Sequence, residues 1–165
     1  MTIGEIKGLP VESISADKCH LYLWVPNALL PDGLAVMEAW GFMYKGNIVW
    51  EKVRKDGEPD GRGVRFYFRN VTELLLFGIR GSNNRTLAPA RSQVNLIRTQ
   101  KREHSRKRDE IIPVIEQCSP GPYLELFARG NREGWDMWGN QADLEYEPTW
   151  STYKNCTKRA ESAGL

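Results

Sequence analysis

The chain has 165 residues, the size of one ordinary domain and enough to bury a core. Hydrophobic residues at 41%, charged residues at 27%, and six Trp, six Tyr and five Phe exclude a disordered, collagenous or coiled-coil chain. Twenty-three basic against 21 acidic side chains leave a net charge of +2, so no global charge argument for a polyanionic partner holds.

In chain order, Thr2 with Glu5 three positions later forms a capping-box pattern that opens a short helix over 3–9, which Pro10 ends. Residues 19–25, rich in Leu, Tyr, Trp and Val, read as a buried strand. Over 27–40, Leu30, Leu34, Met37 and Trp40 recur at helical spacing, with Pro31 in the tolerated first turn and Gly41 as the stop. A second strand is expected at 42–53, then a loop rich in Asp, Gly and Pro at 56–61. A third strand covers 73–79, an exposed loop 82–93, and a short fourth strand 94–98. Residues 109–117 read as a helix capped by Asp109, ended by Ser119-Pro120-Gly121-Pro122, and 123–128 as a fifth strand. Strands alternating with helices predict an open α/β sheet, largely parallel, with ligands beyond the strand carboxyl ends. Residues 142–165 are polar and aperiodic.

The apolar stretches 21–25 and 74–77 fall far short of the roughly 18 residues that cross a bilayer, and residues 1–9 lack the apolar run of a secretory signal. A cytoplasmic protein with no membrane partner is expected. Cys19, Cys118 and Cys156 fit neither a disulfide framework nor a paired zinc spacing, and His20 and His104 are the only histidines, so no metal is expected.

Three segments can carry chemistry. In residues 98–108, six of eleven side chains are basic and one is acidic. Lys101, Arg102 and Arg106 here can displace counterions from a phosphate backbone. The segment can equally be a solvated loop, and Lys107 near a helix start can hold the carboxylate of a small anion. In Tyr123-Leu124-Glu125-Leu126-Phe127-Ala128-Arg129, a carboxylate interrupts an apolar strand; Glu125 either lies on a half-exposed face, pairs with Arg129, or serves a function. In Arg132-Glu133-Gly134-Trp135-Asp136-Met137-Trp138-Gly139-Asn140-Gln141, the glycines permit close backbone approach and the two amides can bond ribose hydroxyls, while Trp135 and Trp138 taken alone read as core.

These residues together resemble the MT-A70 family of S-adenosylmethionine-dependent adenine-N6 methyltransferases. The resemblance runs in order from residue 1 to about 141 through Leu21-Tyr22-Leu23-Trp24-Val25-Pro26-Asn27, Val49-Trp50-Glu51-Lys52, Phe68-Arg69-Asn70, Glu73-Leu74-Leu75-Leu76-Phe77-Gly78, residues 105–110 and 124–141. The closing run, Leu-Phe-Ala-Arg followed by Arg-x-Gly-Trp-Asp-x-Trp-Gly-Asn-Gln, is its most specific part. It implies a Rossmann-like α/β methyltransferase sheet with helices on both faces over 1–141, followed by a polar tail over 142–165. It further implies that Lys107 meets the amino-acid end of S-adenosylmethionine and that Phe127, Arg129, Asn140 and Gln141 surround its ribose, with Asn131 contributing. Lys52, Arg65, Arg69 and Asn70 would face adenine-containing nucleic acid, with Lys101, Arg102 and Arg106 adding phosphate contacts.

The family's Asp-Pro-Pro-Trp motif, whose carboxylate and proline carbonyl accept the hydrogens of the adenine amino group, does not occur in these residues; Glu147-Pro148-Thr149-Trp150 is only a distant likeness. An N-terminally shortened chain is therefore expected, lacking one strand and the catalytic motif, with an unpaired sheet edge that favours a homo- or heterodimer. Catalytic residues stay unassigned. The implied activity is adenine-N6 methylation of nucleic acid, DNA before RNA. The alternatives are a non-catalytic nucleic-acid-binding subunit of the same fold and an unrelated small basic α/β binding protein.

Overall fold

The computed structural model describes residues 1–59, 67–100 and 110–139. They fall into two compact units: 1–59, 67–100 and 117–119 in the first, 110–116 and 120–139 in the second.

The first unit opens with α1 (Ile3–Lys7), closed by the reciprocal bonds its sequence promised. Thr2 N donates to Glu5 Oε2 at 2.6 Å and Glu5 N donates to Thr2 Oγ1 at 3.2 Å, which satisfies two of the helix's orphan donors. The same bonds hold the Glu5 carboxyl below its usual range. A one-turn helix, α2 (Val11–Ile14), follows Pro10 and was not legible in the sequence. Strand β1 (Cys19–Val25) has the bounds the sequence predicts. The expected helix over 27–40 divides into a 3-10 turn at Asn27–Leu29 and α3 (Leu30–Ala39), with Pro31 in the first turn. Next come β2 (Met43–Val53), β3 (Thr72–Arg80), a 3-10 turn at Ala88–Ser92 and β4 (Leu96–Gln100). Strand β4 begins two residues later than expected: Val94 is exposed, and the ladder with β2 starts at Val49 opposite Leu96.

The sheet order is β1-β3-β2-β4. Strand β3 is antiparallel to both neighbours and only the β2–β4 pair is parallel, so the sheet is mixed, which corrects the expectation of a largely parallel one. The α/β class stands.

Helix α3 covers the face carrying Leu21, Leu23 and Val25. It approaches closely because two positions have no side chain: a Cβ on Gly33 would lie 2.5 Å from Val25 Cγ2, and one on Gly78 would lie 2.8 Å from Met37 Sδ. Met37, Leu75 and Leu76 are at most 1% exposed and form the centre of the core. The Trp40 indole N–H donates to Ile6 O at 3.0 Å and ties α1 to the end of α3. On the opposite face, Ser119, which follows α4 (Ile111–Cys118), meets β1: His20 Nδ1 and Tyr22 Oη lie 2.7 and 2.9 Å from Ser119 Oγ.

In the second unit, β5 (Tyr123–Leu126) pairs in parallel with β6 (Trp135–Trp138), a strand the sequence did not reveal. Tyr123 stacks on Trp135 with ring centroids 4.8 Å apart, and the Trp135 indole N–H donates to Glu116 Oε1 at 2.8 Å, so Trp135 is structural. Residues 127–134 make the whole crossover, shorter than the dozen or so residues usual for parallel neighbours. Phe127, Gly130 and Gly134 have positive φ, which lets so short a connection turn. Strand β5 ends at Leu126, two residues earlier than expected, because Phe127 leaves the extended conformation.

Candidate functional site

In the second unit, the carboxyl ends of β5 and β6 lie side by side, the position at which open α/β sheets bind ligands. Ala128 N donates to Trp138 O at 2.9 Å, and Ala128 is 1% exposed. A Cβ on Gly139 would lie 2.8 Å from Ala128 N and 2.9 Å from its O, so only glycine permits this approach of the two strand ends. The sequence anticipated that use of glycine in the closing run. Around this contact, Phe127 is 45% exposed and Trp138 42% exposed, their rings edge to face with centroids 5.6 Å apart. Arg129 and Asn131 are exposed on the following loop, where Asn131 Oδ1 accepts from Arg132 N at 2.8 Å. Glu125 is half-buried and lies 4.0 Å from the Arg132 guanidinium, which also sits 5.9 Å from the centroid of the Trp135 ring. Thus Phe127, Arg129 and Asn131 share one loop at the strand ends, and Trp138 joins them. Lys107, Asn140 and Gln141 lie outside the described residues. The arrangement brings together two partly exposed aromatic rings, a cation, an amide, and backbone drawn close by glycine, groups able to hold a flat polar ligand.

In the first unit, polar groups gather where β1, β2 and β4 end and β3 begins. Trp24 and Trp50 meet edge to face at 5.6 Å, and the Trp50 indole N–H donates to Thr99 Oγ1 at 2.7 Å. Lys52 lies over the Trp50 ring and forms an ion pair with Glu73, both side chains about a quarter exposed. Asn27 Nδ2 donates to Thr72 O and Oγ1 at 3.1 and 3.0 Å. The segment entering β3 holds Tyr67 and Phe68, 93% and 88% exposed, beside Arg69, whose Nε is shielded from solvent without a hydrogen-bond acceptor, and exposed Asn70. The resemblance set the stretch 65–70 toward nucleic acid and named Arg65, Arg69 and Asn70 within it, but gave the rings of Tyr67 and Phe68 no role of their own; two consecutive aromatics beside an arginine were the available signal. Arg65, Lys101, Arg102 and Arg106 lie outside the described residues.

Burial raises the Cys118 and Cys19 thiols above their ordinary value, which keeps them protonated and unsuited to nucleophilic roles. Among the described residues, no helix is long and apolar enough to cross a membrane.

The sequence pattern of the MT-A70 family matches residues 1–141. The chain is 33% identical over 141 residues to "Type II methyltransferase M.MunI" of a Mycoplasma species, covering 84% of this chain and 57% of that protein. It is 32% identical over 145 residues to the rice protein "Probable N(6)-adenosine-methyltransferase MT-A70-like", covering 86% and 20%. An Arabidopsis thaliana "N(6)-adenosine-methyltransferase MT-A70-like" is 31% identical over 147 residues, covering 86% and 21%. The chain spans little more than half of the first relative and about a fifth of the two plant proteins. A match through 141 residues that ends on the glycine-closed loops of β5 and β6 places the chain in the MT-A70 family.

Proposed function

We propose that the protein takes part in methyl transfer from S-adenosylmethionine to the N6 amino group of adenine in nucleic acid, with DNA preferred to RNA. The reading rests on one observation: the family match ends on the segment that forms the exposed, glycine-closed carboxyl ends of a parallel strand pair. The cofactor, when bound, supplies an electrophilic methyl group on a sulfonium. Phe127, Arg129 and Asn131 would hold its nucleoside, with Asn140 and Gln141 on the ribose and Lys107 on the amino-acid end. Arg69 and Asn70, with Lys52 behind them, would face the nucleic acid, joined by Arg65, Lys101, Arg102 and Arg106. In a duplex the target adenine must leave the stack, because its amino group is paired inside. The exposed rings of Tyr67 and Phe68 suit an unstacked strand.

Calorimetry with S-adenosylmethionine, followed by methyl transfer to adenine-containing DNA and RNA oligonucleotides, tests this reading. Micromolar binding and transfer to N6 are expected. Failure to bind the cofactor would overturn it. Cofactor and nucleic-acid binding without transfer would instead support a non-catalytic nucleic-acid-binding subunit of the same fold.

A further inference from the structure

Groups from β2 and from the turn after β1 grip the residues that lead into β3. Asn27 Nδ2 donates to both the carbonyl and the hydroxyl of Thr72, Lys52 N donates to Val71 O at 2.8 Å, and Lys52 Nζ is ion-paired with Glu73. Lys52 thus holds this stretch twice, at Val71 through its backbone and at Glu73 through its side chain. The pairing follows from the register: Trp50 stands opposite Glu73, and strand alternation puts the Lys52 side chain on the same face, one diagonal step away. The Trp50 ring lies 5.0 Å from Lys52 Nζ at its centroid, and Trp50 is itself fixed by Thr99 Oγ1 on β4 and by the Trp24 ring on β1.

A lysine held this way has little charge left for a phosphate. Its side chain is 22% exposed, and a carboxylate and an aromatic face already attend the ammonium. Arg69 differs, because its Nε meets no hydrogen-bond acceptor among the described residues. It stands directly before the gripped residues, next to Tyr67 and Phe68. Rings as open as these bury little surface of their own, so the ordering of their backbone depends on what holds the end of the segment.

We propose that Lys52 is a positioning residue for the nucleic-acid strand and not a phosphate contact: with Glu73 it fixes the entry to β3, so that Tyr67, Phe68 and Arg69 meet the strand from a pre-ordered backbone. Pre-ordering lowers the entropy lost on binding, which is read as affinity. The assignment rests on nucleic-acid binding as proposed above and names, within it, Arg69 as the cation of this segment that meets a phosphate.

The test measures binding of a labelled single-stranded adenine oligonucleotide to the full chain by fluorescence anisotropy across a range of salt, with S-adenosylhomocysteine affinity measured alongside. Lys52→Met, which keeps an unbranched stem over Trp50, should weaken oligonucleotide binding about fivefold, the size of a lost pre-ordering contribution. It should leave the slope of log affinity against log salt at the wild-type value. Arg69→Ala should flatten that slope by about 0.7, the contribution of one phosphate contact on a single strand. The double variant Lys52→Met/Glu73→Gln leaves no charge without its partner and carries the same readings if Lys52→Met fails to fold, which circular dichroism establishes. S-adenosylhomocysteine affinity should stay within about twofold of the wild type in both Lys52 variants, as for a site that does not couple to the change. A slope flattened by the Lys52 variants as much as by Arg69→Ala would overturn the assignment, by making Lys52 a phosphate contact. Unchanged oligonucleotide affinity in those variants would overturn it as well, and so would a parallel fall in S-adenosylhomocysteine affinity, the mark of a general loss of structure. Each of these results leaves the proposed function standing. A wild-type protein that binds S-adenosylhomocysteine but no oligonucleotide would overturn both the assignment and the nucleic-acid reading on which it rests.

Discussion

Gly139 carries more structural consequence than its size suggests. Backbone atoms of Ala128 occupy the space a side chain would need, and backbone cannot rotate away as a flexible side chain can. Gly139→Ala should therefore destabilise the protein by about 1–3 kcal/mol and weaken S-adenosylhomocysteine binding along with it. A urea midpoint within error of the wild type would contradict this. Tyr67 and Phe68 lie at the other extreme: nearly all of their surface is open, so replacing both with alanine should leave the melting temperature unchanged. Affinity for a single-stranded oligonucleotide, read by fluorescence anisotropy, should fall about tenfold. At this scale the sequence was readable where a residue acts through its local neighbours. The Thr2–Glu5 capping box and the close approach at Gly139 were both anticipated. Exposure was harder to foresee, because it depends on what the rest of the chain covers: Trp138 read as core and is open to solvent.

Helix α3 and its strand partners show how an element's inward face is decided by packing as well as period. The spacing of Leu30, Leu34, Met37 and Trp40 located the helix correctly, yet Leu34 is 37% exposed while Gly33 and Val36 are buried. Gly33 faces inward because α3 lies so close to β1 that Val25 fills the space of its missing side chain. Gly33→Ala should cost about 1–3 kcal/mol in urea unfolding, and Val25→Ala should recover part of that loss in a double-mutant cycle. Strict additivity of the two losses would show that the helix can shift away without penalty. Strand β6 escaped the sequence for a related reason. Four residues flanked by glycines carry little periodic signal, and their partner β5 is fixed by a crossover whose left-handed turn at Phe127 no propensity suggests.

Across the whole molecule, strand positions were largely legible and strand directions were not. Alternation of apolar and polar residues marks where a strand lies, but hydrogen-bonded neighbours are set by connections, and the one between β2 and β3 is too long to announce an antiparallel pair. Long-range polar ties were equally hidden. His20, at the start of β1, reaches Ser119 Oγ with one ring nitrogen and, at 3.3 Å, Asn84 O with the other. Burial lowers its pKa below the ordinary 6.5, and the bonds with Asn84 only partly oppose this. The unfolded chain therefore takes up a proton at a higher pH than the native protein, and stability rises with pH across that interval. The contribution is complete above about 6.5 and is lost as pH falls below that value, levelling off beneath the native pKa. Urea midpoints at pH 7.5 and 5.5 should diverge in the wild type and diverge less in His20→Gln; an equal difference in both would remove His20 as the source. Salt provides a second global readout. Replacing Lys101, Arg102 and Arg106 with alanine should flatten the dependence of log affinity for duplex DNA on log salt by about 0.9 per charge removed.

The reversed direction of β3 has an effect beyond hydrogen bonding. Because it runs against its neighbours, it contributes its beginning where β1, β2 and β4 contribute their ends, so Asn27, Lys52, Thr72 and Thr99 collect on a single rim from four separate stretches of chain. A rim assembled this way can be revised one stretch at a time. Changes in any bordering loop alter which polar groups the rim presents, while Met37, Leu75 and Leu76 stay buried in the core.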